Sequence, residues 1–95
     1  MITTTSDGRI RIPRQVLREA GFLPGNRISV IRNSQNSISV VPSKSVPQNA
    51  QHTDYRVECD GRARISNSVI RAMGVRGRRK SPSCQVSRKN ITISL

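Results

Sequence analysis

The sequence predicts a mainly β protein with two short helices, built from two tandem copies of one small unit. Residues 7–42 return as residues 60–95 at a constant offset of 53 positions and without a gap. Ten of the paired positions are identical, and both copies open with Asp-Gly-Arg. Polar and apolar residues alternate after each Asp-Gly pair, as they do in a half-buried strand. An internal repeat of this kind predicts copies of one supersecondary unit that pack against each other.

Each unit is expected to begin with a hairpin. Strands are predicted at Ile2 to Ser6 and at Tyr55 to Cys59, in front of the two Asp-Gly pairs. Asp-Gly favours a type I′ turn, because Gly adopts a positive φ freely and Asp tolerates one better than most residues. In the strand after each turn, the apolar residues are expected to face the core and the arginines to face solvent. The solvent-facing arginines are Arg9 and Arg11 in the first copy, and Arg62 and Arg64 in the second.

A short helix follows the second strand of each unit. Pro13 suits the first turn of a helix, where its missing N–H costs nothing, and Ser66 and Asn67 are favoured N-cap residues. Gly21 and Gly74 stand where a left-handed residue would end each helix. A helix of about two turns does not persist alone, so its apolar face must dock on a sheet. That face consists of Val16, Leu17 and Ala20 in the first copy, and of Val69, Ile70 and Met73 in the second.

Two further strands complete each unit. In the first copy they are predicted at Asn26 to Arg32 and at Ser37 to Val41. In the second copy, Ser81 to Val86 is a poor strand whose proline indicates a sheet edge or a bulge. The alternation returns at Ile91 to Leu95.

The predicted domain organisation is a first repeat over 1–42, a polar, proline-marked linker over 43–53, and a second repeat over 54–95. A lone unit of about forty residues is too small to hold a core without a partner. The two repeats are therefore expected to form one compact pseudo-dimeric domain with an aliphatic core. Its only aromatic residues are Phe22 and Tyr55, which disfavours binding of single-stranded nucleic acid by base stacking.

The charge of the chain indicates a polyanionic partner. Seventeen Lys and Arg residues face five Asp and Glu residues, for a formal charge of +12. Nucleic acid is the first candidate for such a surface and a membrane the second. The sequence has neither a long amphipathic helix nor an apolar run long enough to span a bilayer, which disfavours the membrane. The first residues lack the pattern of a signal peptide, so we expect a cytoplasmic location.

Residues suited to covalent chemistry or metal binding are sparse. The only histidine, His52, falls in the polar linker, so no Ser-His-Asp triad is expected around it. No phosphate-binding loop of P-loop spacing is present. Cys59 and Cys84 lack metal-ligand spacing and are interpreted as small buried or half-buried thiols, with disulfide or metal roles as the alternative. The sequence thus predicts a protein that is not an enzyme and holds no cofactor or metal.

One stretch of the first repeat resembles a known family. Gly8-Arg9-Ile10-Arg11-Ile12-Pro13, a short apolar helix, Gly21-Phe22, Pro24-Gly25-Asn26 and two strands are similar to the AbrB/MazE/SpoVT type of DNA-binding domain. The resemblance covers residues 6–41 well and 59–95 loosely. It implies a swapped-hairpin β-barrel, here formed by two tandem pseudo-symmetric repeats, whereas family members usually carry one copy and dimerise. By position, Arg9 and Arg62 match the arginine of the family's Gly-Arg motif, and Arg18 and Arg71 match a basic helix position.

These observations predict a double-stranded DNA-binding transcriptional regulator, a repressor that occludes a promoter. The planar fork of arginine suits phosphates and guanine edges, although the same pattern also fits a merely solvated strand face. A pseudo-twofold protein predicts a quasi-palindromic operator, bound by a homodimer or by a self-contained monomeric pseudo-dimer. The alternatives are an antitoxin or inhibitor that binds an acidic protein, and a non-specific DNA-coating protein. The predicted DNA-binding residues are Arg9, Arg11, Arg14, Arg18, Arg62, Arg64, Arg71, Arg76, Arg78, Arg79 and Lys80, of which the last four are expected to contact phosphates only.

Overall fold

Two antiparallel sheets and two short helices make up the described part of the chain. The computed structural model describes residues 3–4, 9–75 and 83–94. Its strands are β1 (Thr3–Thr4), β2 (Ile10–Ile12), β3 (Arg27–Ser34), β4 (Ser37–Pro42), β5 (His52–Arg56), β6 (Ala63–Ile65), β7 (Ser83–Ser87) and β8 (Asn90–Ser94). Its α-helices are α1 (Arg14–Glu19) and α2 (Asn67–Ala72), and a single 3-10 turn covers Ser43–Ser45.

Both sheets combine strands of the two repeats. The small sheet has the order β1-β2-β6, and the large sheet has the order β5-β3-β4-β8-β7. The described strand pairings do not close these two sheets into a barrel, so the fold is mainly β with two short helices and the predicted closed barrel is not seen. The edge strands of the small sheet are β1 and β6, which are only two and three residues long. Strand β6 stops at Ile65 because Ser66 begins α2, and edges this short offer little backbone for pairing with the large sheet.

The strand register relates the two repeats by a pseudo-twofold axis. In the pairing of β2 with β6, Arg11 lies opposite Arg64, its own repeat equivalent. In the pairing of β4 with β8, Ser39 lies opposite Thr92, which is again its equivalent. Pairing of equivalent residues with each other is what a twofold interface produces. The axis therefore passes through these two residue pairs, one in each sheet.

One apolar core runs across both repeats. Ile12 and Leu17 from the first repeat and Ile65, Ile91 and Ile93 from the second belong to the same buried cluster, and none is more than 1% exposed. The inward positions predicted for the two helices and for the strands after the Asp-Gly pairs are buried, except that Val69 is only half-buried. Because each repeat supplies part of one shared cluster, neither repeat covers its apolar face by itself.

Both helices end at a glycine, as predicted. Gly21 has a φ of +87° and Gly74 a φ of +79°. In α1 the Phe22 N–H donates to the Leu17 carbonyl at 2.8 Å, and in α2 the Val75 N–H donates to the Ile70 carbonyl at 3.2 Å. These bonds satisfy carbonyls that the last helical turn leaves open. At the other end, Pro13 and Ser66 occupy the N-cap positions, and neither makes a side-chain capping bond.

The second Asp-Gly turn is of a different type from the one predicted, and the first lies outside the described residues. Gly61 has a φ of +85°, but Asp60 does not adopt a positive φ, so the type I′ turn is wrong. The Gly61 N–H donates to the Glu58 carbonyl, and the Glu58 N–H donates to the Arg62 carbonyl. This is a three-residue loop with a left-handed glycine. The Asp60 carboxylate accepts the Arg62 N–H at 3.0 Å, which holds the aspartate in this loop form.

The second repeat begins pairing earlier than the sequence pattern predicts. Strand β5 starts at His52, inside the predicted linker, and ends at Arg56 rather than Cys59. It pairs with β3 of the first repeat, with His52 opposite Ile31. This long-range pairing selects the strand, and Thr53 and Tyr55 become its half-buried positions. Strand β7 lies at the edge of the large sheet, in agreement with its poor strand pattern.

Candidate nucleic-acid interface

Two arginines lie side by side on the outer face of the small sheet. Strands β2 and β6 both have a buried-exposed-buried pattern, with Arg11 and Arg64 as the exposed central residues. Directly opposed residues of antiparallel strands have Cβ atoms about 5 Å apart, and like charges in such positions destabilise the pairing. The fold therefore places two positive charges together, on the pseudo-twofold axis, at a cost in stability.

Arg9 and Arg62 extend this pair in opposite directions. Each is exposed and immediately precedes its strand, β2 or β6. Because the strands are antiparallel, Arg9 lies beyond one end of the Arg11–Arg64 pair and Arg62 beyond the other. At about 3.4 Å per residue the four positions span about 13 Å, close to the width of about 12 Å of the major groove of B-DNA. We call Arg9, Arg11, Arg62 and Arg64 the arginine strip.

Two carboxylates of the second repeat contact the strip. The Arg64 Nε lies 3.5 Å from the Glu58 Oε2, and the Arg62 Nε lies 4.0 Å from the Asp60 Oδ2. All four side chains are more than two-fifths exposed. Ion pairs of this kind contribute about 0–1 kcal/mol and leave the guanidinium accessible to a stronger anion.

One helix arginine is brought to the strip. A Cβ added at Gly61 would lie 2.6 Å from the Cγ of Arg14, so the stem of Arg14 packs on the backbone of this turn. The first repeat thereby places a basic side chain next to Arg62 of the second repeat. Arg18 and Arg71 are exposed on their helices, but no described contact joins either one to the strip. The remaining predicted DNA-binding residues, Arg76, Arg78, Arg79 and Lys80, lie outside the described residues.

The sequence analysis missed Lys89, which joins the two repeats. Its backbone N–H donates to the Ala20 carbonyl at 2.8 Å, and its Nζ donates to the Gly21 carbonyl at 2.9 Å. The Nζ also lies 5.8 Å from the centre of the Phe22 ring. The turn between β7 and β8 thus places a cation at the C-terminal end of α1, where the helix dipole favours positive charge. No local signal predicts a contact between residues 68 positions apart in the chain.

A Ser-Asp-His group in the large sheet does not have the geometry of a catalytic triad. His52 belongs to strand β5 rather than to a linker, and its Nε2 lies 3.6 Å from the Asp54 Oδ1. The fully buried Ser29 hydroxyl donates to the same carboxylate oxygen and also lies 2.9 Å from the Ser43 hydroxyl. A nucleophilic serine needs the histidine as its direct base, and here the carboxylate lies between the two.

The described residues contain no cluster suited to binding a metal ion and no disulfide. Nowhere in 3–4, 9–75 or 83–94 do three His, Cys, Asp or Glu side chains come together. Both cysteines are free thiols. Cys84 is half-buried, but Cys59 is exposed, because it lies in the loop before Gly61 rather than in a strand. The interpretation of Cys59 as a buried or half-buried thiol is therefore wrong.

In the described part of the chain, neither helix has the length and apolar character needed to cross a bilayer. No family model matches the chain, and no curated protein or solved structure is significantly similar to it.

Proposed function

We propose that the protein binds double-stranded DNA through the arginine strip and acts as a transcriptional regulator, a repressor that occludes a promoter. The observation that carries this proposal is the position of the strip across the pseudo-twofold axis, with Arg11 and Arg64 opposed on the axis itself. Duplex DNA has the same twofold relation between its strands, so a symmetric strip matches a quasi-palindromic site. As part of the same proposal we place the protein in the cytoplasm.

The arginine side chains of the strip are suited to binding the phosphates and base edges of a DNA groove. Its four residues are all arginine, whose fork binds phosphate or a guanine edge at two points. The mutual repulsion of Arg11 and Arg64 would be relieved by a polyanion that lies over both. The chain as a whole has an excess of twelve positive charges, which attracts DNA from a distance.

We also propose the swapped-hairpin relationship that the resemblance to AbrB/MazE/SpoVT-type domains implies. What supports it is the pairing of β5, from the second repeat, with β3 of the first repeat. Strand β4 pairs in turn with β8 across the repeats. Each repeat therefore contributes backbone to a sheet that includes the other repeat.

The proposal is tested by fluorescence anisotropy with labelled duplexes and two double variants. Arg11→Ala/Arg64→Ala removes the axial pair of the small sheet. Arg27→Ala/Arg56→Ala removes another directly opposed pair of exposed arginines, which joins β3 and β5 in the large sheet. The two variants lose the same charge, so the second is a matched control. We expect the first to weaken binding by at least about tenfold more than the second, since each arginine in a groove contact is worth about 1–3 kcal/mol. Equal losses would place the interface elsewhere.

A further inference from the structure

The two axial arginines have the same place in the fold but different neighbours. Arg64 lies 3.5 Å from the carboxylate of Glu58, at Nε and Oε2. The residue equivalent to Glu58 in the first repeat is Thr5, which carries no charge. Among the described residues, no carboxylate lies within 4.0 Å of the guanidinium of Arg11. The backbone around the two axial arginines is therefore pseudo-symmetric, but the charges next to them differ.

Asp60 does not produce this difference. It contacts Arg62, and the first repeat has Asp7 at the equivalent position before Arg9. The aspartate is therefore common to both copies of the sequence, whereas the glutamate belongs to the second copy alone. Glu58 is the acidic residue that distinguishes the two halves of the strip.

We infer that Glu58 holds Arg64 away from DNA, so that the two axial arginines act unequally and Arg11 makes the main contact at the centre of the site. This inference rests on the proposed function. The Glu58 carboxylate lies 3.5 Å from the Arg64 guanidinium, so this ion pair must be broken or shared when a phosphate or base edge approaches Arg64. Both side chains are about half exposed, so the expected penalty is small, about 0–1 kcal/mol. The same carboxylate repels phosphates directly. No carboxylate of the described residues pairs with Arg11, so Arg11 makes the main contact and the central base pairs are read asymmetrically.

The test compares single variants of the two equivalent residues. Arg11→Ala and Arg64→Ala remove the same side chain from equivalent exposed positions, so each is the matched control for the other. The probe is a labelled duplex that the wild-type chain has enriched from a random library. We expect Arg11→Ala to weaken binding about tenfold and Arg64→Ala no more than about threefold, because a full groove contact is lost only in the first.

Removal of the carboxylate should make the two arginines equivalent. Glu58→Gln keeps the size of the side chain and should strengthen binding several-fold, with the slope of log K against log salt steeper by about one unit. In this background, Arg11→Ala and Arg64→Ala should weaken binding equally. Glu19→Gln, a change of the same charge at an exposed helix position, is the control and should have little effect. Circular dichroism of each variant verifies that it is folded.

The results distinguish failure of the proposed function from failure of the inference about Glu58. If the wild-type chain binds no duplex, the proposed function itself fails. If the chain binds but Arg11→Ala and Arg64→Ala weaken binding equally, the inference fails and the proposed function remains. If Glu58→Gln weakens binding, the glutamate positions Arg64 for DNA contact, and the inference is overturned.

Discussion

Arg11 and Arg64 lie directly opposite each other in the pairing of β2 with β6, and each is the repeat equivalent of the other. Like charges directly opposite each other destabilise a strand pair. Arg27 and Arg56 form a second directly opposed pair in the large sheet, so what distinguishes Arg11 and Arg64 is their place on the pseudo-twofold axis. In the proposed function, the DNA lies over this pair and Arg11 makes the main contact.

Arg11 and Arg64 should lower the stability of the fold although they contribute to DNA binding. In Arg11→Ala/Arg64→Ala the repulsion between the two guanidinium groups is absent, so we expect the free energy of unfolding to stay equal or to rise by about 0.2–1 kcal/mol. Urea denaturation of the variant and the wild type measures this. A loss of more than about 1 kcal/mol would mean that the two arginines stabilise the fold rather than destabilise it.

Ile12→Asp should unfold the protein. Ile12 is 0% exposed in the shared core, so the substitution puts an uncompensated carboxylate among aliphatic side chains. We expect a loss above about 4 kcal/mol, a large part of the stability of a small domain. Arg11→Asp is the control, because it places the same residue one position earlier on the solvent face. This control should remain folded, as circular dichroism will show, and a folded Ile12→Asp variant would contradict the assigned strand register.

The turn at Gly61 should tolerate no side chain. Gly61 has a φ of +85°, and a Cβ there would lie 2.6 Å from the Cγ of Arg14. Gly25 has a φ of +86°, but its Cβ would meet nothing within 4 Å. Gly25→Ala should therefore cost about 1–2 kcal/mol for its backbone alone, and Gly61→Ala should cost more.

The additional cost at Gly61 should depend on Arg14. In Gly61→Ala/Arg14→Ala the stem of the arginine is gone, so the second substitution should recover the steric part of the loss. Thermal unfolding of the single and double variants measures the coupling. Independent, additive losses would mean that Arg14 does not pack on this turn and does not approach Arg62.

Tyr55 should limit stability at high pH. Burial raises the pKa of its hydroxyl, and the nearby Ser66 backbone offsets part of the increase. A raised pKa in the folded state means that the unfolded chain releases the proton more readily. The contribution to stability is therefore complete below the ordinary pKa of 10.0 and is lost as the pH rises through the folded value.

Tyr55→Phe should remove this pH dependence. In the described residues no group lies in hydrogen-bonding geometry with the Tyr55 hydroxyl oxygen. Phenylalanine deletes an unsatisfied polar atom, so its stability near neutral pH should equal or exceed that of the wild type. Urea denaturation at neutral pH and above pH 10 measures both effects. A variant that is less stable at neutral pH would indicate a hydrogen bond to the hydroxyl.

Local patterns in the sequence predict the elements that depend on local physics. The alternation around Ile10 and Ile12 places these residues inside, and the glycines at 21 and 74 end their helices in the left-handed conformation. A constant repeat offset also predicts that the two copies share one core. These features depend on residues close together in the chain, where periodicity and backbone sterics decide the outcome.

Contacts between the two repeats cannot be predicted from local sequence patterns. Strand β5 starts at His52 because Ile31, far away in the first repeat, supplies its partner. Lys89 binds the C-terminal end of α1, but the residues around Gly21 give no sign of this contact. The ion pair of Glu58 with Arg64 follows from a loop form that Asp-Gly alone does not predict. The exposure of the four arginines of the strip could be predicted from the sequence, whereas the residues that contact them could not.

Binding of double-stranded DNA is tested by fluorescence anisotropy of the wild-type chain with labelled duplexes over a salt series. One duplex is the sequence upstream of its own reading frame, and the other is a scrambled version. If the arginine strip and its surroundings neutralise about five or six phosphates, log K should fall with log salt at a slope near −5, with a preference for the native duplex. Absence of binding to both duplexes at low salt would contradict the account and favour an acidic protein as the partner. An equally steep slope of log K against log salt for the two duplexes, without a preference for the native one, would indicate a non-specific DNA-coating protein.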